Sequence, residues 1–243
     1  MKLFGLIGYP LSHSFSRKYF TEKFEREGIA DHEYLLFPIP QINELKKILS
    51  DHPGLKGLNV TIPYKEQVIP YLDELSPVVQ QVGACNCIRI EEGRLTGFNT
   101  DVVGFKQTLE PHLKPHHKKA LVLGTGGAAK AVYHVLRDLN IEFTMVSRTP
   151  SENAITYDMI DEHVIQDHKL IINTTPLGMH PHVESAPQLP YVFLGTEHYL
   201  YDLVYNPDPT LFLKKGMEMG AATENGSEML VIQAEESWKI WNS

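Results

Sequence analysis

Residues 120–132 read ALVLGTGGAAKAV, and this stretch constrains the fold more than any other. An apolar run enters a glycine cluster, and small and apolar residues at helical spacing follow. That order predicts a strand, a tight turn and the opening of a helix, the arrangement that cradles a pyrophosphate. Gly124 and Gly126 permit the turn and let backbone N–H groups approach phosphate oxygens, while Ala129 is small enough for close helix–strand packing. Glycines alone say little, because any tight turn needs them. Their placement after ALVL and before a helix is what carries the nucleotide reading.

In a unit that binds NAD, a carboxylate about twenty residues further on grips the ribose hydroxyls. Here the second strand, roughly residues 141–147, delivers Arg148 within MVSRTP. An arginine suits a 2′-phosphate, which a carboxylate would repel, and Ser147 and Thr149 add hydroxyl donors to the same anion. A solvated loop charge is the plain alternative. The glycine turn upstream favours the phosphate, and with it NADP over NAD.

The chain of 243 residues has room for two modest domains or one large one, and its 42% hydrophobic and 21% charged content is that of a soluble globular protein. A net charge of −8 argues against a broad nucleic-acid or anionic-membrane surface, so an anion site must be built locally. No apolar run approaches the ~18–20 residues of a membrane span, and MKLFGLIGYP is short for a secretory signal. Two cysteines, Cys85 and Cys87, exclude a disulfide framework and fit a reducing cytoplasm. No paired ligand spacing points to a metal. His112, His116 and His117 in PHLKPHHKK, and His180 and His182 in a second proline-rich stretch, read as solvated loop histidines.

Short apolar runs alternate with helical patterns along the whole chain, the α/β signature. In the first half, strands are expected near residues 3–7, 34–37, 57–60 and 87–90. SFSRKYFTEKFEREG and IPQINELKKIL read as amphipathic helices, and EEGRLTGFN as a hairpin turn into a strand. A helix should begin near Asp101, whose carboxylate suits the cap. After the PHLKPHHKK connector, strands are expected near residues 120–124, 142–147, 170–173, 199–204 and 221–223. This Rossmann-like series lacks room for a full six-stranded sheet with all its helices, so a shortened version is expected. In the tail, Leu230, Ala234, Trp238 and Trp241 form an apolar stripe with Gln233 at its edge.

The first half also carries a dense polar set at predicted element ends: Ser14 and Ser16 in GYPLSHSFS; Asn59, Thr61 and Lys65 in NVTIPYK; Asn86 in GACNC; Asn99, Thr100 and Asp101 in GFNTD. Singly, each reads as a cap, an Asx-turn or a surface lysine. Together they describe a crevice lined with neutral hydrogen-bonders, one lysine and one carboxylate, which suits a polyhydroxylated ligand.

The ordered series GYPLSHSFS, LNVTIPYK, VGACNC, GFNTD, GTGGAAKAV, SRT, INTTPLGM, YDLVYNP and GSEMLVIQA runs nearly the full chain and resembles the shikimate dehydrogenases, NADP-dependent enzymes of aromatic amino-acid biosynthesis. The resemblance implies an N-terminal α/β substrate domain (1–100), a shortened Rossmann-like NADP-binding domain (101–225) and a C-terminal helix (226–243) that returns to the first. It implies reversible reduction of 3-dehydroshikimate to shikimate, with Lys65 as acid/base beside Asp101. Ser14 and Ser16 would hold the substrate carboxylate; Asn59, Thr61, Asn86, Asp101 and Gln233 its ring hydroxyls; Tyr205 would lie nearby. Gly124, Gly126, Gly127 and Ala128 would contact the pyrophosphate, and Ser147, Arg148 and Thr149 the 2′-phosphate. Thr174, Met179, Leu203 and Gly226 would line the nicotinamide. No nucleic acid, membrane or metal is implied, and the resemblance fits a monomer or a homodimer. Two departures stand out: Arg17 replaces the family's usual proline after Ser16, and Cys87 its usual threonine after Asn86. The rivals are a quinate/shikimate dehydrogenase preferring NAD, against which Arg148 argues, and a catalytically silent NADP sensor, which would not need Lys65 and Asp101.

Overall fold

The computed structural model describes residues 1–11 and 14–243, so Ser12 and His13 of GYPLSHSFS lie outside the described residues. Backbone contacts divide the chain into two units, residues 1–103 with 232–243, and residues 104–231.

The first unit runs β1 (Lys2–Gly8), α1 (Phe15–Arg26), β2 (His32–Pro38), α2 (Leu45–Asp51), β3 (Leu55–Val60), β4 (Glu74–Leu75), α3 (Pro77–Val82), β5 (Cys87–Glu91), β6 (Arg94–Phe98) and the start of α4 (Asp101–Leu109). Its six-stranded sheet has the order β2-β1-β3-β5-β6-β4. β2, β1 and β3 are parallel, and β5 and β6 return antiparallel. The period of two along β1 sorts its side chains: Ile7 joins the core with Phe37, Leu45, Leu58 and Ile88, while Phe4 and Leu6 join Phe20, Phe24, Tyr34, Ala234 and Trp241 on the other face. Ala234 and Trp241 of the chain's last segment thus belong to the core of the first unit, which takes in residues 232–243. Residues 39–41 are not helical, Ile42–Glu44 form a 3-10 turn and only Leu45–Asp51 are α-helical, in keeping with Pro40, which disfavours helix at the residue before it. Nothing in the sequence reading anticipates α3. Its signals are present all the same: Ser76 Oγ caps Val79 N at 3.4 Å and Pro77 opens the helix.

The second unit holds β7 (Lys119–Leu123), α5 (Gly127–Asp138), β8 (Glu142–Ser147), β9 (Ala154–Thr156), α6 (Glu162–Asp167), β10 (Leu170–Asn173), β11 (Tyr199–Asp202), α7 (Leu211–Glu218), β12 (Ala222–Asn225) and the start of α8 (Ser227–Trp241). All six strands are parallel, in the order β12-β11-β10-β7-β8-β9. The sheet is thus complete in strands, and the shortening falls on the crossovers. β8 reaches β9 without a helix, and β10 reaches β11 with only a 3-10 turn, Tyr191–Phe193. The connector is less exposed than its composition suggests. His117 is buried, its ring accepting from Lys114 N and meeting the Glu197 carbonyl at 3.3 Å, which a loop folded over the sheet requires.

Candidate active site

In the first unit, the polar residues at the ends of β3, β5 and α4 meet in one hydrogen-bonded network. Lys65 follows β3 on a turn and its Nζ donates to Asp101 Oδ2 at 2.7 Å. The other oxygen of Asp101 accepts from Asn86 Nδ2 at 2.9 Å. Asn86 Oδ1 in turn accepts the Thr100 N–H at 2.7 Å, which fixes the amide's orientation. Asp101 does not cap α4. Asn99 does, with its Oδ1 accepting from Val102 N at 3.3 Å, and Asp101 is the first helical residue. That exchange frees both carboxylate oxygens for Lys65 and Asn86, and a carboxylate in the first turn is favoured by the helix dipole.

The network continues through the C-terminal helix. Thr100 Oγ1 reaches Gln233 Oε1 at 3.4 Å, and Asn59 Nδ2 donates to Ser237 Oγ at 2.9 Å. Tyr34 donates to Asn59 Oδ1 at 2.8 Å, and burial raises its phenol well above the ordinary value, so it remains a donor. Asn59, Asn86, Thr100, Asp101, Gln233 and Ser237 are all buried. Such a set is costly unless its members satisfy one another, which here they do. Tyr34 and Ser237 are members that sequence reasoning missed. Ser237 was findable, since it lies four residues after Gln233 and so on the same face of the helix.

Thr61 sits half-buried at the end of β3, its methyl against Gly8. At the start of α1, Ser14 Oγ caps Arg17 N at 3.3 Å and Ser16 contacts Tyr34. A capping hydroxyl still has its own O–H to donate, so capping and binding a carboxylate are compatible. The bond exists because residue 17 is arginine; a proline has no N–H to give. Cys87 is fully buried against Ser237 and Trp241, and burial raises its thiol, making it a weak member of the network.

In the second unit the strands end in register. Leu123, Asn173, Asp202 and Asn225 are paired partners across β7, β10, β11 and β12, and the next residues are Gly124, Thr174, Leu203 and Gly226. The four therefore form one row at the carboxyl edge of the sheet, beginning at β7 and β10, where the strand order reverses. Gly124 has φ +107, and a Cβ there would meet Thr174 Oγ1 at 2.6 Å. A Cβ on Gly226 would lie 2.3 Å from the Leu203 carbonyl oxygen. Gly126 differs: it has an ordinary φ of −79 and no atom within 4 Å of an added Cβ, leaving open space before the first N–H groups of α5 at Gly127 and Ala128. Ala129 is fully buried against the sheet.

Ser147 ends β8 and its Oγ accepts from Thr149 N at 3.3 Å. Arg148 is exposed, and no described residue offers it an ion pair. Met179 is exposed on the loop after β10, and Tyr205 is half-buried on the segment after β11. The backbone bond from His180 N to Asn206 O joins those two loops. Beneath the row, the buried Asp202 carboxylate accepts from Asn173 Nδ2, Val204 N and Thr210 Oγ1, and burial pushes its pKa up to about 6 against those bonds. None of the expected residues lines the open groove of ≈ 590 Å³ at Tyr157, Leu189, Tyr191 and Lys215.

A shikimate dehydrogenase relative from Methanococcus maripaludis, named as NADP(+)-dependent, is 37% identical over 99% of this chain and 91% of its own length. The chain belongs to the shikimate dehydrogenase family. The family's substrate-binding domain model matches residues 6–88, and the shikimate 5-dehydrogenase of Thermus thermophilus, solved with NADP(H) and shikimate, superposes with a TM-score of 0.87. That structure is 31% identical over 99% of this chain and 93% of its own. A quinate dehydrogenase from Corynebacterium glutamicum, solved with NAD, is 28% identical with a TM-score of 0.83, covering 99% of this chain and 92% of its own. Shikimate dehydrogenases and a quinate dehydrogenase thus share this fold, and only side chains can separate them.

Proposed function

We propose that the protein is an NADP-dependent shikimate dehydrogenase, reversibly reducing 3-dehydroshikimate to shikimate. One observation carries the reading: a lysine and a carboxylate 2.7 Å apart, held in a buried network of neutral hydrogen-bonders. That lining matches a ring bearing several hydroxyls, each needing a directional partner.

The second unit fits a dinucleotide. Open space at Gly126, the first N–H groups of α5 and an exposed Arg148 after β8, with no ion pair among the described residues, supply room, donors and charge for a pyrophosphate and a 2′-phosphate. Gly124, Gly126, Gly127 and Ala128 would hold the former, and Ser147, Arg148 and Thr149 the latter. Thr174, Met179, Leu203 and Gly226 would border the nicotinamide. When bound, the nicotinamide supplies or accepts the hydride.

The protein's own groups manage the substrate and the proton. Ser14 and Ser16 donate hydroxyl hydrogens to the substrate carboxylate. Asn59, Thr61, Asn86, Asp101 and Gln233 hold the ring hydroxyls, with Tyr205 nearby. Lys65 Nζ gives a proton to the oxygen as it gains charge, and takes one back in the reverse direction. Asp101 holds Nζ in place while Asn86 holds Asp101, so the proton donor is pre-aimed.

The test is an absorbance assay of the purified protein with shikimate or quinate, each with NADP+ or NAD+. The reading expects shikimate with NADP+ to dominate, and quinate with NAD+ dominating would overturn it. Arg148→Ala should weaken NADPH binding by about ten- to hundredfold, the equivalent of ~1.5–3 kcal/mol for a charge-assisted contact, and leave NADH little changed. Equal losses for both cofactors would show that Arg148 does not read the phosphate.

A further inference from the structure

A cluster on the far edge of the C-terminal helix, outside the network described above, has no place in the chemistry. Lys23 of α1 is almost fully buried, and its ammonium contacts Glu235 Oε1 at 2.9 Å, Glu235 Oε2 at 3.0 Å and Glu27 Oε1 at 3.0 Å. Tyr19, one turn earlier on α1, also donates to Glu235. Burial alone would lower the Lys23 pKa, but the two glutamates outweigh it and the net shift is upward. Burial and the same glutamate raise Tyr19, so both donors keep their protons.

The position of Glu235 gives the cluster its meaning. At about 100° per residue, Glu235 lies roughly 200° around α8 from Gln233, counted through Ala234. Between them runs the buried stripe of Ala234, Trp238 and Trp241, packed on Phe4, Phe20 and Phe24. The hydrophobic effect is itself non-directional, and the directional contact of the stripe, Trp241 Nε1 to the Ile88 carbonyl at 3.0 Å, lies in the last turn, about two turns beyond Gln233. A roll of about 20° moves a side-chain tip at ~6 Å radius by ~2 Å, enough to break the hydrogen bonds on the opposite edge. Gln233 and Ser237 are on that edge, joined to Thr100 and Asn59.

We propose that Lys23 and Glu235 are positioning residues for substrate binding: they lock the roll of α8 against α1 and so set where Gln233 and Ser237 stand. The inference rests on the substrate reading above. α1 itself carries Ser14 and Ser16 at its start, so the lock ties both substrate-facing helices to one frame. Lys23 is buried while Glu235 stays about one-third exposed, and for ion pairs taken out of water at one end, fixing register is better attested than net stability.

The chain's two tryptophans both lie on α8, and Lys23 Nζ stands 5.9 Å from the Trp238 ring, so intrinsic emission reports how the helix is seated. In the full-length protein, Lys23→Met should shift emission to the red and raise the shikimate KM about tenfold, with kcat and the NADP+ KM within about twofold of wild type. The double variant Lys23→Met/Glu235→Leu should recover thermal stability by replacing the pair with apolar packing, yet keep the raised shikimate KM, since no directional lock returns. Recovery of KM together with stability would reduce the pair to a structural contact and overturn the inference. So would a shikimate KM within twofold of wild type in Lys23→Met, an unmoved emission, or an equal rise in the NADP+ KM. A wild type that turns over no shikimate would instead sink the substrate reading, and would show itself before any variant is made.

Discussion

The two units build their candidate sites from different materials. In the first, side chains from β2, β3, β5, α4 and α8 bond to one another before any ligand arrives. In the second, the row at the strand ends is flanked by open space at Gly126 and by an exposed Arg148 that has no ion pair among the described residues. On the proposed reading, the difference follows from what each would recognise. A phosphate is a strong, nearly spherical acceptor that backbone N–H groups and a guanidinium satisfy from many angles. A hydroxylated ring offers weak, directional groups at fixed spacing, and a site for it gains by being rigid beforehand. Substitutions in the first unit should therefore act jointly, and those in the second singly.

The sharpest break of this contrast is at Lys65. If the network exists to aim one proton donor, Lys65→Met should lower turnover by ~10²–10⁴-fold while cofactor binding survives. The shikimate KM should move far less, because the group acts mainly as the reaction proceeds. Steady-state kinetics in both directions measures this. Wild-type turnover in Lys65→Met would make the lysine a clamp for substrate, and the first unit a binding site only.

Asp202 is the exception that sharpens the contrast, a side-chain knot inside the second unit. It ties the ends of β10 and β11 to Thr210 at the cap of α7, directly beneath Thr174 and Leu203. Its folded pKa of about 6 lies above the ~3.9 of an unfolded aspartate. The folded state therefore binds more protons between those values, and stability falls as pH rises from about 4 to 6. A rise of that size corresponds to roughly 3 kcal/mol at most. Asp202→Asn keeps an acceptor for Asn173 and Val204, and Thr210 can turn its hydroxyl to accept. The wild-type loss across that window, measured by urea denaturation relative to the variant, should thus disappear in Asp202→Asn. Equal slopes in the two proteins would place the carboxylate in a more hydrated setting.

The contrast also explains what can be read from the sequence. The second unit's candidate site follows one local rule, strand then glycine turn then helix, and the places of Gly124 and Ala129 in it, and of Arg148 just after β8, are legible from spacing. Its sixth strand is not: β9 is three residues long and carries no period. In the first unit the chemistry-bearing residue types are visible, but their partnership is not, since Asn59 and Ser237 are 178 residues apart. Local rules assign a carboxylate at a helix start to the cap, and Asp101 reads as one on those rules alone. The fold gives the role to Asn99 and turns Asp101 towards Lys65. His117 reads as solvated for the same reason, as composition sees a loop and not what the loop covers.

The smallest effect tests the contrast most directly. Asn59 Nδ2 donates to Ser237 Oγ, which itself donates to the Gln233 carbonyl, so each depends on the other for its orientation. Asn59→Ala leaves Tyr34 and Ser237 short of a partner, and Ser237→Ala leaves Asn59 short of one. Once either is gone, losing the second should cost less. A double-mutant cycle on the shikimate KM should show a coupling of about 1 kcal/mol, within the range for residues in one hydrogen-bond network. Cys87 beside Ser237 is too weak a hydrogen-bonder to substitute for either. If the two losses simply add to within ~0.3 kcal/mol, the first unit is as modular as the second, and the buried network is a set of independent contacts.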